Sequence, residues 1–124
     1  MSDNRHQMHP TIYAHKENLK FNDIIPAVEL KERIVQFLSE LTRDLEGNGC
    51  ELIGHIKGLI DARDKGHLRF SITSFKEGTR FNGEMEDGIE AAILTINVIV
   101  YGIEQRSLKQ FVNRRLLNIL ADGG

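Results

Sequence analysis

The longest apolar stretch of the chain, IEAAILTINVIVYGI at residues 89–103, constrains the fold more than any other segment. A helix that spans a membrane needs roughly 20 apolar residues. This stretch is shorter, contains Thr95 and Asn97, and is rich in isoleucine and valine. Since β-branched residues favour extended structure, the stretch is predicted to be a long buried strand. The first ten residues, MSDNRHQMHP, lack the apolar core of a secretory signal, so the cytoplasm is the expected location.

The segments on either side provide partners for this strand. Residues 26–46 place their apolar side chains along one helical stripe, and residues 107–121 do the same. Four strand-like segments lie between them, at about 50–62, 67–75, 79–86 and 90–103, and the turns that separate them each contain a glycine. The pattern predicts an α+β fold in the order α-β-β-β-β-α. In that fold a four-stranded antiparallel meander carries the N-terminal and C-terminal helices on one face.

The N-terminal residues 1–22 are polar, show no periodicity and hold three of the five histidines. They are predicted to form a flexible tail, followed by a single α+β domain over residues 23–124. His6, His9 and His15 are candidate ligands for a divalent transition metal, because imidazole commonly binds such ions. The tail has no cysteine pair and no second ligand cluster. Any metal binding is therefore expected to be weak, and a solvated tail without metal is the competing interpretation.

The composition argues against several classes of function. A net charge of −2 gives no basic excess of the kind that nucleic-acid binders show, and neither nucleic acid nor membrane is an expected partner. The single cysteine, Cys50, cannot form an internal disulfide, and a buried, unreactive thiol is expected there. The glycine-rich phosphate-binding patterns and the zinc-protease pattern are absent from the sequence. No residue is assigned a catalytic role, and a non-enzymatic function is favoured.

Alternation along the predicted strands indicates which side chains share a face of the sheet. One face is consistently apolar and is expected to receive the two helices. Leu52, Gly54 and Gly58 are placed on this face, and Ile53 on the opposite one. The opposite face is mixed in character and is predicted to bind a partner protein or a second copy of the chain. Its candidate binding residues are His55, Lys57, Arg69, Thr73, Asn97, Ile99 and Tyr101.

The mixed face also admits a second interpretation. Lys57 and Arg69 could hold an anionic group of a small ligand while His55 acts as an acid or a base. Because the sequence offers no partner carboxylate, nucleophilic serine motif or second histidine at a supporting spacing, a protein-interaction surface is favoured over a ligand site or an enzyme. A sheet with one uncovered face often finds cover by dimerising, so a homodimer is one expected arrangement.

Three short segments give the chain a family resemblance. They are the I-x-H-I-K pattern of Ile53–Lys57, the Ile72-Thr73 step and the I-N-V-I-V pattern of Ile96–Val100. With the order of helices and strands over about residues 27–120, they resemble the small C-terminal accessory domain that follows the GTPase domain in some CobW-type proteins, a group of metal- and cobalamin-related GTPases. The GTPase half is absent here. The resemblance implies an accessory role, in which the domain helps a GTPase dock on a metalloprotein client or senses or delivers a metal or corrinoid.

Overall fold

The computed structural model describes residues 9–120. Two helices and five strands follow one another in the order β-α-β-β-β-β-α, and a short 3-10 turn at Arg63–Lys65 joins the second and third strands. The elements are β1 (Thr11–Ile25), α1 (Ala27–Gly47), β2 (Leu52–Asp61), β3 (Gly66–Ile72), β4 (Arg80–Met85), β5 (Ile89–Tyr101) and α2 (Gln105–Leu120).

The five strands form one antiparallel sheet with the spatial order β1-β5-β2-β3-β4. The predicted four-stranded meander with an N-terminal helix is therefore wrong in two respects. An additional strand, β1, precedes α1, and β5 pairs with β1 and β2 rather than with β4. The segment between β4 and β5 is not a hairpin, because β4 and β5 are not neighbours in the sheet: β2 and β3 lie between them.

β1 comes from the segment whose polar character predicted a tail. Its second half buries Leu19 and Phe21, but its first half places His15 and Glu17 on the same face. These two side chains bond to each other, with 2.9 Å between His15 Nε2 and Glu17 Oε1. Because the two side chains satisfy each other's hydrogen-bonding groups, they can lie half-buried on that face. The strand therefore shows no apolar alternation in this part of the sequence. Residues 1–8 of the predicted tail lie outside the described residues.

The central position of β5 follows from its composition. Its helix-facing side chains, from Ala92 to Val100, are at most 3% exposed. Its other face also carries Ile93 and Ile99, which are half-buried without a helix above them. A strand that is apolar on both faces is best covered when it has a neighbour on each side, and β5 has β1 on one side and β2 on the other.

Both helices pack on one face of the sheet and form the hydrophobic core with it. The apolar stripe predicted for α1 is confirmed, since all six of its residues are at most 1% exposed: Leu30, Ile34, Phe37, Leu38, Leu41 and Leu45. α2 contributes a second buried stripe that includes Leu108, Val112 and Ile119. Neither of these two helices, the ones in the part of the chain that the structure describes, is long and apolar enough to cross a membrane.

A bulge in β2 changes which of its residues face the helices. The pairing of β2 with β5 shifts between Ile53 and His55, so Gly54 has no partner of its own. Ile53 is consequently buried at 2% exposure, whereas Leu52 is 49% exposed on the other face. The alternation predicted the reverse for this end of the strand. The extra residue of a bulge moves every side chain before it to the opposite face.

Arg115 on α2 ties the two helices together. Its guanidinium group donates hydrogen bonds of 2.7 and 2.8 Å to the Asp44 carboxylate and one of 2.7 Å to Glu40. Both acceptors lie on α1, and their side chains are 14% and 17% exposed. A planar guanidinium that meets two carboxylates in this way fixes the position of one helix against the other.

The same contact makes the stability of the protein depend on pH. The hydrogen bonds from Arg115 hold the pKa of Asp44 below its ordinary value. The resulting stabilisation is fully present above the unfolded-state pKa, about 4, and is lost as the pH falls through the lower folded-state value. We expect Asp44→Asn to lower the free energy of unfolding by about 1 kcal/mol at pH 7 and by less than that at pH 2. Urea unfolding at both pH values measures this, with Asp23→Asn at an exposed site as the control; an equal loss at pH 7 and pH 2 would contradict it.

Candidate functional site

The sheet face that points away from α1 and α2, here called the outer sheet face, is the candidate site. Cross-strand partners define its rows, each of which runs from β1 or β5 toward β4. One end of the face is apolar, the middle is cationic, and the far end carries acidic groups. No helix or loop among the described residues 9–120 covers the face in the way that α1 and α2 cover the opposite one.

The middle of the outer sheet face consists of two neighbouring rows with four cations and no carboxylate. The register places these residues side by side across all five strands. The first row is Ala14, Asn97, Lys57, Ser71 and Arg80, and the second is Lys16, Thr95, Leu59, Arg69 and Asn82. The protein as a whole has a net charge of −2, so this concentration of positive charge is local.

A groove of about 590 Å³ lies over the β2, β3 and β4 part of these two rows. Lys57, Arg69 and Arg80 supply its charge, and Ser71 and Asn82 supply further polar groups. None of the residues that line it is acidic. Within the described chain these three cations take part in no ion pair, in contrast to Arg33 and Arg115 on the helices. The groove can therefore offer its positive charge to another molecule.

The apolar end of the outer sheet face adjoins the cationic rows. Ile12, Ile99 and His55 form one row of the register, and Leu52 pairs with Tyr101 beyond it. Ile12 is 51% exposed and Leu52 is 49% exposed. Gly54 lies among these side chains, because a Cβ placed on it would be 3.1 Å from Ile99 Cγ2 and 3.4 Å from Tyr101 Cε2. Large exposed apolar side chains next to unpaired cations form a surface suited to binding another protein.

The structure places six of the seven predicted binding residues on strands of the outer sheet face. His55 and Lys57 lie on β2, Arg69 lies on β3, and β5 carries the other three, Asn97, Ile99 and Tyr101. Thr73 follows the end of β3, where its hydroxyl donates a 3.1 Å hydrogen bond to Glu77. Lys57 and Arg69 meet in the groove, but His55 does not line it.

Among the residues of this surface that the sequence-based set omits, four are charged or large and exposed, and the reason for each omission is identifiable. Arg80 is in the correct alternation phase of its strand and could have been included on that ground. Ile12 and Lys16 belong to β1, which was not predicted. Leu52 was assigned to the helix-covered face, and only the bulge at Gly54 brings it out.

The histidines proposed as metal ligands are in different settings. His6 lies outside the described residues, and His9 is exposed just before β1. His15 uses both ring nitrogens: Nδ1 is 3.2 Å from the Tyr13 hydroxyl, and Nε2 is 2.9 Å from Glu17. The Tyr13 hydroxyl donates its hydrogen to Asn113 on α2, over 3.2 Å. A metal bound to His15 would have to displace one of these partners, and residues 9–120 contain no cluster of three metal-binding side chains.

Cys50 occupies the buried setting that its position predicted. It is 6% exposed, and its thiol donates to the Leu52 carbonyl at 3.6 Å. Burial raises the pKa of the thiol above its ordinary value, because an apolar environment disfavours the charged thiolate. The prediction of a buried thiol is confirmed, and its raised pKa disfavours the reactive anion.

Comparison with known proteins gave matches to solved structures only. No family model and no curated protein matches the sequence. The crystal structure of the Zn(II)-bound YjiA GTPase from E. coli matches with a TM-score of 0.43 and 12% identity, over 90% of this chain and 30% of that one. A Zn(II)-bound triple mutant of the YjiA GTPase matches with a TM-score of 0.41 and 14% identity, over 84% and 29% of the two chains. The chain thus spans about 30% of the length of these proteins.

Proposed function

We propose that this chain is a non-enzymatic interaction domain that binds a partner protein through the outer sheet face. The observation that carries the proposal is the combination found on that face: the row of exposed Ile12 lies directly beside two rows that hold four cations and no carboxylate, and exposed Leu52 lies one row further out. Covering the apolar end would remove it from water, at a gain of roughly 25 cal/mol for each Å². The cations around it would orient the partner.

The kind of partner follows from the sequence resemblance to CobW-type accessory domains. We propose that the domain assists a metal- or cobalamin-related GTPase, or a metalloprotein client of one. Each of the segments that carry the resemblance places residues on this face or beside it. These residues are His55 and Lys57 in β2, Asn97 and Ile99 in β5, and Thr73 after β3. A second copy of the chain is the competing partner, because a homodimer would cover the same surface.

The alternative of a small-ligand site that uses His55, Lys57 and Arg69 receives partial support. The groove does bring Lys57 and Arg69 together, as an anion site requires. It leaves His55 outside its lining and holds no buried polar group, since none of the described residues is both polar and buried. Small-ligand sites normally enclose most of the ligand surface, so the geometry favours an open surface for a protein.

The proposal predicts that changes on the outer sheet face weaken assembly and leave the fold intact. Ile99→Asp would place a charge at the apolar end, and Lys57→Glu would reverse a charge in the cationic rows. We expect each to weaken association by about tenfold or more, since an unpaired charge within an interface costs at least 1.4 kcal/mol. Light scattering reports self-association, and affinity capture after chemical crosslinking in the producing cells reports a different partner.

The matched control is Val28→Asp, which introduces the same charge on α1 at a residue that is 63% exposed. Circular dichroism establishes that each variant remains folded. If the solution mass and the captured partner are the same for wild type, Ile99→Asp and Lys57→Glu, the proposal is wrong. If only Val28→Asp weakens association, the interface lies on α1 instead.

A further inference from the structure

We infer that the partner segment that occupies the groove over β2, β3 and β4 is acidic and extended. The inference rests on the proposed function and specifies the chemistry of the partner at one part of the outer sheet face. Lys57, Arg69 and Arg80 line the groove without a carboxylate among the lining residues and without an ion pair in the described chain. Such a cationic surface favours a partner whose contacting side chains are negatively charged.

The spacing of the cations suits a peptide. Lys57 and Arg80 both pair with Ser71, so their backbones are two strands apart, which is about 10 Å at the usual strand separation. Arg69 is two residues along β3 from Ser71, a displacement of about 7 Å. An extended peptide advances about 3.3 Å per residue, so carboxylates two to four residues apart reach different cations of the groove.

The shape of the groove also favours a peptide over a single small anion. Its volume of about 590 Å³ is far greater than one phosphate or carboxylate group needs. Its three cations are exposed to solvent. A site for a small anion normally encloses the ligand and holds it with buried donor groups. Leu59 contributes an apolar patch between the charges, which suits the aliphatic part of a peptide side chain.

Acidic residues limit the cationic area on one side. Asp61 and Glu84 lie in the next row of the register, with His67 between them. A long polyanion that ran parallel to the strands would leave the cationic rows and meet these carboxylates. A short acidic segment that ran perpendicular to the strands, along the two cationic rows, would not. The width of five strands corresponds to about 19 Å, or roughly six residues of an extended chain. This pattern favours a peptide of that length over a nucleic acid.

The test titrates the full chain into a fluorescein-labelled eight-residue peptide in which Glu and Ala alternate, and follows fluorescence anisotropy. The reference peptide has Gln in place of Glu. We expect the Glu peptide to bind at least tenfold more tightly than the Gln peptide at 50 mM salt, and the difference to shrink at 500 mM salt because exposed charges are screened. Arg69→Glu and Arg80→Glu should each weaken binding of the Glu peptide about tenfold or more.

Arg106→Glu on α2 is the matched control, because it reverses the charge of an exposed arginine away from the groove. It should change the affinity by less than about twofold. Inorganic phosphate and a ten-residue oligothymidylate are titrated in parallel. Equal binding of the two peptides, or no binding of either, would overturn the inference. So would Arg69-dependent binding of phosphate or oligothymidylate that is tighter than binding of the Glu peptide.

The two proposals can fail separately. If Ile99→Asp abolishes assembly but the Glu peptide does not bind, the outer sheet face remains an interaction surface and only the acidic partner is excluded. If the Glu peptide binds in the groove but neither Ile99→Asp nor Lys57→Glu affects assembly, the proposed function fails and the groove remains a binding site for acidic peptides.

Discussion

Replacing Leu19 by alanine should lower the free energy of unfolding by about 3 kcal/mol, the usual cost of truncating a fully buried leucine. Leu19 is 1% exposed and belongs to the hydrophobic core, where its strand pairs with β5 at Ala92. The result bears directly on the fold, because a residue in a flexible tail would contribute nothing to stability. Urea unfolding of the purified variant, followed by circular dichroism, gives the value.

The control for this experiment is the adjacent residue. Asn18→Ala changes a side chain that is exposed on the outer sheet face, and such substitutions usually change stability by less than about 0.5 kcal/mol. The contrast between neighbouring residues tests the alternation of β1 as well as its existence. Similar small effects at both positions would show that β1 does not pack against the core.

The second large effect is expected at Gly58. A Cβ on this residue would collide with Cζ of the Phe70 ring and would be 2.5 Å from the Thr95 carbonyl oxygen, which belongs to the backbone of β5. Phe70 is 3% exposed and cannot move into solvent without leaving the core. We expect Gly58→Ala to destabilise the protein by about 2–3 kcal/mol, the range for overpacking a well-packed core.

Gly47→Ala is the matched control for Gly58→Ala. No atom lies within 4 Å of a Cβ placed on Gly47 at the end of α1, and alanine there reduces the entropy of the unfolded chain. This variant should be as stable as the wild type or more stable, by at most about 1 kcal/mol. Urea unfolding compares the two variants, and a neutral Gly58→Ala would mean that the Phe70 ring does not lie over β2.

Gly58 also shows how far the sequence constrains local packing. Alternation correctly assigned it to the helix-covered face, and the expected reason for a glycine was the close approach of a helix. The atoms that require the glycine come from the neighbouring strands instead, the ring of Phe70 on β3 and the backbone of β5. The sequence indicates that space is needed at this position, but only the register shows which group fills it.

The helices were the most predictable part of the fold. In α1 every third or fourth residue is apolar, and this spacing depends only on the geometry of the helix itself. Strand order depends on interactions between distant segments, and nothing local in β5 specifies β1 and β2 as its neighbours. β1 was missed because His15 and Glu17 interrupt the apolar alternation and satisfy each other by a hydrogen bond.

Alternation along single strands predicted only part of the outer sheet face, because the alignment of neighbouring strands was not known. His55, Lys57, Asn97 and Ile99 follow from simple alternation along β2 and β5. The cationic rows emerge only when Lys16 of β1 and Arg80 of β4 are placed in line with Lys57 and Arg69. Leu52 joins the apolar end only because of the bulge at Gly54, which no local pattern specifies.

Site-specific photo-crosslinking tests the central claim most directly. A benzophenone amino acid replaces Asn97 on the outer sheet face in one variant and Glu46 on α1 in another, both exposed positions. Each variant is irradiated in the cells that produce it. We expect one defined protein adduct from position 97, which Ile99→Asp removes, and none from position 46. No adduct from position 97, or the same adduct from both positions, would contradict the assignment of the outer sheet face as the interaction surface.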